Sequence, residues 1–440
     1  MDTLSLSRNE SFFSEGSSPE SVFEHRTPTL DSCSSCSGAN TPNTEPLDIF
    51  DSHDILLTNH SSGDEFILVV GGLGFIGSHT SWELLRSGQN VIIIDNLSNS
   101  DRNVLDKLEY LRDVHYKTRP SWPTLDFYQG DYRDRTLLHT IFTKYKDPIS
   151  STVESISSPK SKISGVIHFA AYKSVAESFK KPLAYYSNNV GGLVDFCSTL
   201  SDFNIKTLVF SSSATVYGGL ANKGGALLED QCDNTGCSGI TNPYGRTKWM
   251  CEAILKDLAV SDPTWNITVL RYFNPIGCDE SGILGEAPIG MPNNLMPVVI
   301  RAMTGELPAL NVFGTDWDTP DGTAVRDFIH VSDLAHGHLA ALKPPSSQSI
   351  STNSYNIYNL GSGTGHSVRE VVTAMEDVSG RVIPVYETGR RQGDVGISIA
   401  DTSKSAASLN WTTQKTLTQA CRDICRYLGY IGEQNASEKK

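Results

Sequence analysis

Tyr244 and Lys248 lie four residues apart in Asn242-Pro243-Tyr244-Gly245-Arg246-Thr247-Lys248. On a helix that spacing stacks the two side chains on one face. A phenol, with a pKa of about 10, is a poor base at neutral pH. A neighbouring ammonium favours the phenolate and draws that pKa down. The pair is thus a candidate general base with its electrostatic support, although an isolated Tyr-x-x-x-Lys is more often structural. Ser213 adds weight. It belongs to Ser211-Ser212-Ser213-Ala214-Thr215-Val216-Tyr217 and follows the apolar run Thr207-Leu208-Val209-Phe210. Ligands of open α/β sheets bind at the carboxyl ends of such strands, where a hydroxyl can bond a reacting oxygen and relay its proton. The plainer reading of Ser213 is a helix cap.

A second constellation suits a dinucleotide. Gly71-Gly72-Leu73-Gly74-Phe75-Ile76-Gly77 follows the apolar run Phe66–Val70 and opens a helical pattern. Glycines at 71, 74 and 77 let the backbone turn tightly beside a pyrophosphate, whose charge meets the N–H groups of the helix start. Asp95 closes the next apolar run, Val91–Ile94. It is placed to accept from an adenosine ribose and to repel the extra phosphate of NADP, which favours NAD. The positive ring of bound NAD would further favour a Tyr244 phenolate. The rival reading is a glycine turn that holds no phosphate.

These residues need a scaffold. Continuous apolar strands, including Val166–Ala170, alternate with helical stretches such as Ser78–Arg86 and Leu183–Leu200. That order predicts a parallel sheet covered on both faces. Segments 114–124, 147–164 and 344–353 read as inserted surface loops. Residues 1–64 are rich in Ser, Thr, Asp and Glu without sustained period and read as a disordered tail. Residues 1–65 account for −10 of the chain's −14 formal charge, so no basic nucleic-acid footprint is expected. The nine cysteines are irregularly spread and read as reduced thiols. Cys33 and Cys36 form a C-x-x-C without the flanking strand a redox or metal site needs. Ser18-Pro19, Thr27-Pro28 and Thr41-Pro42 suit proline-directed phosphorylation or are simply solvated. His330, His336 and His338 cluster, but the last two face different sides of a helix, so no metal is expected. No secretory segment opens the sequence and no apolar run approaches a membrane span, so a cytoplasmic setting without membrane contact is expected.

With its longer motifs included, the chain resembles the UDP-glucose 4-epimerase family of extended short-chain dehydrogenases, from about Phe66 to Leu428. The motifs are Gly71–His79, Asp95–Ser100, Val166–Lys173, Tyr185–Val190, Phe210–Gly218, Arg271–Pro275, Pro292–Pro297, Val325–Val331 and Arg390–Asp394. The resemblance implies a Rossmann-type doubly wound parallel sheet over 65–276. It also implies a smaller C-terminal α/β substrate domain over 277–440, with segments returning to the first, and a homodimer. It implies tightly bound NAD, a UDP-hexose substrate, and epimerisation at carbon 4 with Tyr244, Lys248 and Ser213 as catalytic residues. The cofactor would be held by Gly71, Gly74, Phe75, Ile76, Gly77, Asp95, Asn96, Asn99 and Ser100. Asp131 and Tyr132 would flank the adenine. Phe169, Ala170, Ala171, Lys173 and Asn188 would line the cofactor channel, and Phe273 would border the nicotinamide. Asn274, Asn294 and Leu295 would contact the UDP-sugar, with Asn311, Val312 and Phe313 along the uridine. Arg326 and Arg391 would grip the phosphates, and Asp394 the ribose.

The chain also departs from the family pattern. Val70 replaces the usual Thr before the glycine turn, and the tail and inserted loops have no counterpart in short members. Ser398 stands where glucose-only members carry a tyrosine closing the sugar pocket, which implies room for a 2-acetamido group and thus UDP-GlcNAc and UDP-GalNAc. Ala214-Thr215-Val216 lacks the Asp-Glu pair a 4,6-dehydratase needs. A UDP-xylose/UDP-arabinose 4-epimerase and a non-catalytic NAD or UDP-sugar sensor remain as alternatives.

Overall fold

The apolar runs become strands because both faces of each are covered. The computed structural model describes residues 65–146, 160–232, 239–290, 292, 294–343, 354–391 and 393–430. In chain order the strands are β1 (Phe66–Val70), β2 (Asn90–Asp95), β3 (Leu125–Gln129), β4 (Ile163–His168), β5 (Thr207–Ser213), β6 (Asn266–Tyr272), β7 (Asn274–Ile276), β8 (Leu310–Phe313), β9 (Val325–His330), β10 (Tyr355–Leu360), β11 (Gly365–Ser367), β12 (Val385–Thr388) and β13 (Ile397–Ser398). Seven of them form a parallel sheet in the order β10-β6-β5-β4-β1-β2-β3. Alternation along each strand feeds two cores. Leu68, Val70 and Val166 pack with Ile141, Phe196 and Leu255 on one face. Ile67, Val69 and Ile167 pack with Leu84, Leu108 and Leu334 on the other. This is the doubly wound arrangement of an open sheet.

Strand order reverses between β1 and β4, and the cleft opens there, at the carboxyl ends. Phe169 and Ala170 were expected to continue a strand. Instead they leave β4 after His168, and their N–H groups both donate to the Val70 carbonyl at 2.8 and 3.1 Å. Val114–Tyr116 belong to the helix Asn103–Tyr116, and Ile163–Ser164 to β4, so two expected insertions are shorter than their composition suggests. The acidic tail with its C-x-x-C and Ser/Thr-Pro sites, residues 147–159 and residues 344–353 lie outside the described residues.

The helical stretch from Pro182 to Asp202 carries a π-helical turn at Tyr186–Gly191, which buries Asn188 and Asn189. Such a turn widens the helix locally and often marks a functional site. Beyond the main sheet, β9 pairs with β7, β11 and β13, and β8 with β12. These smaller sheets and the helices Leu295–Thr304, Val368–Ser379 and Leu417–Tyr427 share a third apolar core. Among the described residues no helix is long and apolar enough to cross a membrane.

Candidate active site

Local sequence places the Tyr–Lys pair. Asn242 accepts the Gly245 N–H at 2.8 Å and Pro243 opens the helix Pro243–Ser261, so Tyr244 and Lys248 occupy its first turns. Ser213 ends β5. It caps the following 3₁₀ turn, accepting the Thr215 N–H at 3.2 Å and its hydroxyl at 3.0 Å. It also meets the Tyr244 phenol, so capping and the polar contact coexist.

Electrostatics in this corner differ from expectation. Burial pushes the Tyr244 phenol up to about 12, with the Ser213 hydroxyl pulling the other way. The Lys248 ammonium is turned to other partners. It donates to the Ser211 carbonyl at 2.5 Å and lies 4.8 Å from the Phe210 ring centroid. Burial drives the Lys248 amine down to about 8. Desolvation therefore governs both groups.

The glycine turn fits a dinucleotide. A Cβ on Gly77 would sit 2.2 Å from the Gly71 carbonyl oxygen, and one on Gly71 would sit 2.9 Å from the Ala170 nitrogen. No side chain caps the helix Phe75–Arg86 at Gly74, which leaves its N-terminal donors to a bound anion. Asp95 also braces the turn: one carboxylate oxygen accepts the Leu73 N–H at 3.0 Å, the other the Leu97 N–H and the Ser100 hydroxyl.

One cleft of about 870 Å³ joins these groups. Gly71, Gly74, Phe75, Ile76, Gly77, Asp95, Asn96, Asn99, Ser100, Tyr132, Phe169, Ala170, Ala171, Lys173 and Asn188 line its dinucleotide arm. Ser213, Tyr244, Lys248 and Phe273 line the same cleft. Asn274, Asn294, Leu295, Asn311, Phe313, Arg326, Arg391, Asp394 and Ser398 line the other arm. Two expected residues do not line it. Asp131 turns to Arg133, 2.6 Å away. Alternation along β8 sends Val312 into the apolar core with Met296 and Phe328.

In the second arm, Arg326 donates to the carbonyl oxygens of Val325 and Gly396, and burial lowers its pKa. Arg391 stacks 4.6 Å over Phe313 and pairs with Asp394 at 3.0 Å. Both guanidinium groups thus face a cleft, where a diphosphate would match their geometry. Ser398 pairs in register with Arg326.

Sequence reasoning missed several participants. Glu286 lines the cleft, its carboxyl raised by burial and partly offset by Lys173 and Asn294; no spacing in its glycine-rich surroundings marked it. Asn189 ties the Tyr172 backbone to Thr247 in the helix Pro243–Ser261 at 2.9–3.0 Å. Arg271, 1 % exposed, pairs with Glu252 at 2.7 Å, and Ser212 donates to the same carboxylate. Asn189, Arg271 and Ser212 lie inside motifs whose neighbours drew the attention, whereas Glu252 and Glu286 lie in none.

Comparison with known proteins agrees with this geometry. The NAD dependent epimerase/dehydratase family matches residues 67–361. The chain is 42% identical to UDP-glucose 4-epimerase 2 of Arabidopsis thaliana, over 84% of this chain and 98% of the relative. It is 44% identical to the human UDP-glucose 4-epimerase, over 82% and 96%. The crystal structure of the Bifidobacterium longum UDP-glucose 4-epimerase, a complex with NAD+ and UDP, superposes with a TM-score of 0.71 at 40% identity, covering 83% of this chain and 98% of that one. Given a doubly wound sheet, a glycine cradle at its switch point and relatives matched over nearly their whole length, the chain belongs to the NAD dependent epimerase/dehydratase family, among the UDP-glucose 4-epimerases.

Proposed function

We propose that the protein interconverts UDP-glucose and UDP-galactose by inverting sugar carbon 4, with NAD bound throughout. The carrying observation is one continuous cleft with the Tyr244–Ser213 corner between the glycine cradle and the two guanidinium groups. In this reading 65–276 holds the cofactor and 277–440 the UDP-sugar, with 355–360 returned to the first sheet. When bound, NAD supplies the two-electron acceptor that makes carbon 4 a ketone and a positive charge that favours a phenolate.

The chain's own groups do the rest. Tyr244 takes the proton of the sugar 4-hydroxyl and later returns it, with Ser213 bonded to the same oxygen. A phenol raised by burial needs positive charge nearby to act as a base, and the Lys248 ammonium provides it on leaving the Ser211 carbonyl. Arg326 and Arg391 hold the diphosphate, Arg391 exchanging its Asp394 partner for phosphate, so the keto sugar can present its other face without release.

Purification without added cofactor, followed by turnover of UDP-galactose, tests this. Activity without added NAD is expected, and Tyr244→Phe should lower kcat by roughly 10²–10⁴-fold. Turnover by Tyr244→Phe at the full rate would remove the assignment. Bound NAD without turnover of any UDP-hexose would instead indicate a sensor, and preference for pentoses a UDP-xylose/UDP-arabinose enzyme.

One observation favours a wider substrate range. Ser398 is a small residue on the wall of the sugar arm, which leaves room for a 2-acetamido group. UDP-GlcNAc and UDP-GalNAc are then substrates too. Ser398→Tyr should abolish that exchange and keep glucose–galactose exchange; inactivity of the unaltered protein on the acetamido pair sinks the idea. The same reading places the enzyme in the cytoplasm, as a homodimer through the helical stretch Pro182–Asp202 and the helix Pro243–Ser261. Leu183 on the former is 81 % exposed.

A further inference from the structure

The chemistry above gives no task to Tyr272, a polar side chain of the cleft wall. Tyr272 ends β6, pairs in register with Ser213 and lies buried in the cleft lining. Its hydroxyl bonds Nε2 of His338, a residue of the helix Val331–Leu342 packed behind the sheet. The His338 ring is fully buried, tilted against Phe169 at 4.8 Å and Tyr272 at 5.1 Å, two cleft-lining rings.

The hydrogen-bond direction follows from the partners. His338 Nδ1 lies 2.8 Å from the Leu334 carbonyl, which only accepts, so Nδ1 carries the ring proton. Burial drives His338 down to about 4, so the imidazole is neutral near pH 7 and Nε2 offers a lone pair alone. The Tyr272 O–H therefore donates to His338, and its oxygen is left to accept. Burial also holds Tyr272 well above the ordinary phenol range, so it stays un-ionised. On its open side the phenol faces the Ser211 hydroxyl and the Tyr244 phenol.

We propose that Tyr272, with its O–H direction set by His338, is a positioning residue of the catalytic corner. It presents an acceptor where β5 ends. There it steadies the strand whose Ser211 carbonyl holds the Lys248 ammonium and whose last residue is Ser213. By committing its proton to His338 it also leaves Ser213 as the hydroxyl that donates to Tyr244. The inference rests on the epimerase reading and adds a residue pair reaching through the sheet from the far helix layer.

Steady-state kinetics with UDP-galactose test it on the holoenzyme, with Tyr272→Phe, His338→Phe, the double variant and His338→Gln. Losing one neutral buried hydrogen bond should lower kcat roughly tenfold in each single variant, with KM within about twofold because no UDP contact changes. The double variant should be no slower than either single, since both remove the same bond. In His338→Gln the side-chain oxygen can stand near the Nε2 position and accept the same proton, so most of the lost rate should return. Tyr272→Phe removes a single oxygen and carries the test if His338→Phe fails to fold. Full kcat in Tyr272→Phe, additive losses in the double variant, or His338→Gln as slow as His338→Phe each overturn the inference. No turnover by the unaltered protein sinks the functional reading and this inference together; full turnover by Tyr272→Phe sinks this inference alone.

Discussion

Lys248 illustrates how a functional residue opposes stability. The residue is 2 % exposed, and burial moves its amine from 10.5 to about 8. Below pH 8 folded and unfolded chains both carry the charge, and the full burial penalty applies. Between pH 8 and 10.5 the folded chain releases the proton while the unfolded chain keeps it. Stability from this group therefore rises with pH across that window. The penalty below it is roughly 3 kcal/mol, from the size of the shift. Lys248→Met should accordingly raise Tm at pH 7 while abolishing turnover, and its advantage should shrink as pH passes from 8 to 10.5. Calorimetry across pH checks both; a Tm below that of the unaltered protein at pH 7 would show that the Ser211 bond outweighs desolvation. Tyr244 belongs with Lys248 in this respect: burial opposes the charged form of each, raising the phenol and lowering the amine.

At the scale of elements, the turn between β1 and the helix Phe75–Arg86 depends on absent side chains. Gly71 has φ +80°, where glycine is favoured. A Cβ on Gly77 would approach the Gly71 carbonyl and the Gly72 Cα at 2.2 and 2.9 Å, both backbone atoms that cannot swing aside. Gly77→Ala should therefore displace the turn, lower stability by about 1–3 kcal/mol, and yield protein without bound NAD. Absorbance of the nucleotide released on denaturation reads the second effect; normal loading would mean the turn is not the phosphate cradle. Asp95 acts at the same scale, since its carboxylate fastens the turn whether or not a ribose is present. Its identity thus serves the local fold by itself.

For the molecule as a whole, the exposed residues of one helical stretch are notable. Leu183, Ala184, Ser187, Gly191 and Val194 lie on the solvent side of Pro182–Asp202, spaced at helical intervals with mostly small or apolar side chains. The buried side of that stretch supplies Asn188 to the cleft and Asn189 to the helix Pro243–Ser261. A second copy packed there would cover exposed Leu183 and Val194 and support the π-helical turn from behind. Leu183→Glu would bury an unpaired carboxylate in such an interface. It should convert a dimer to a monomer in sedimentation velocity at micromolar concentration, with weaker NAD retention. An unchanged sedimentation coefficient would mean that this face is not the contact.

Much of the site was legible because its signals are local. A tight turn demands glycines wherever it occurs, and a Tyr and a Lys four apart share a helix face whatever surrounds them. The alternating apolar runs likewise determined a parallel sheet, because strands buried on both faces tolerate little else. Tertiary structure alone decided what depends on distance across the chain. It turned the Lys248 ammonium to a carbonyl of β5, raised Tyr244 through burial, sent Val312 inward by the phase of a short strand, and brought His338 from a far helix to Tyr272. Those outcomes rest on desolvation and packing between segments dozens to hundreds of residues apart, which no spacing along the chain encodes.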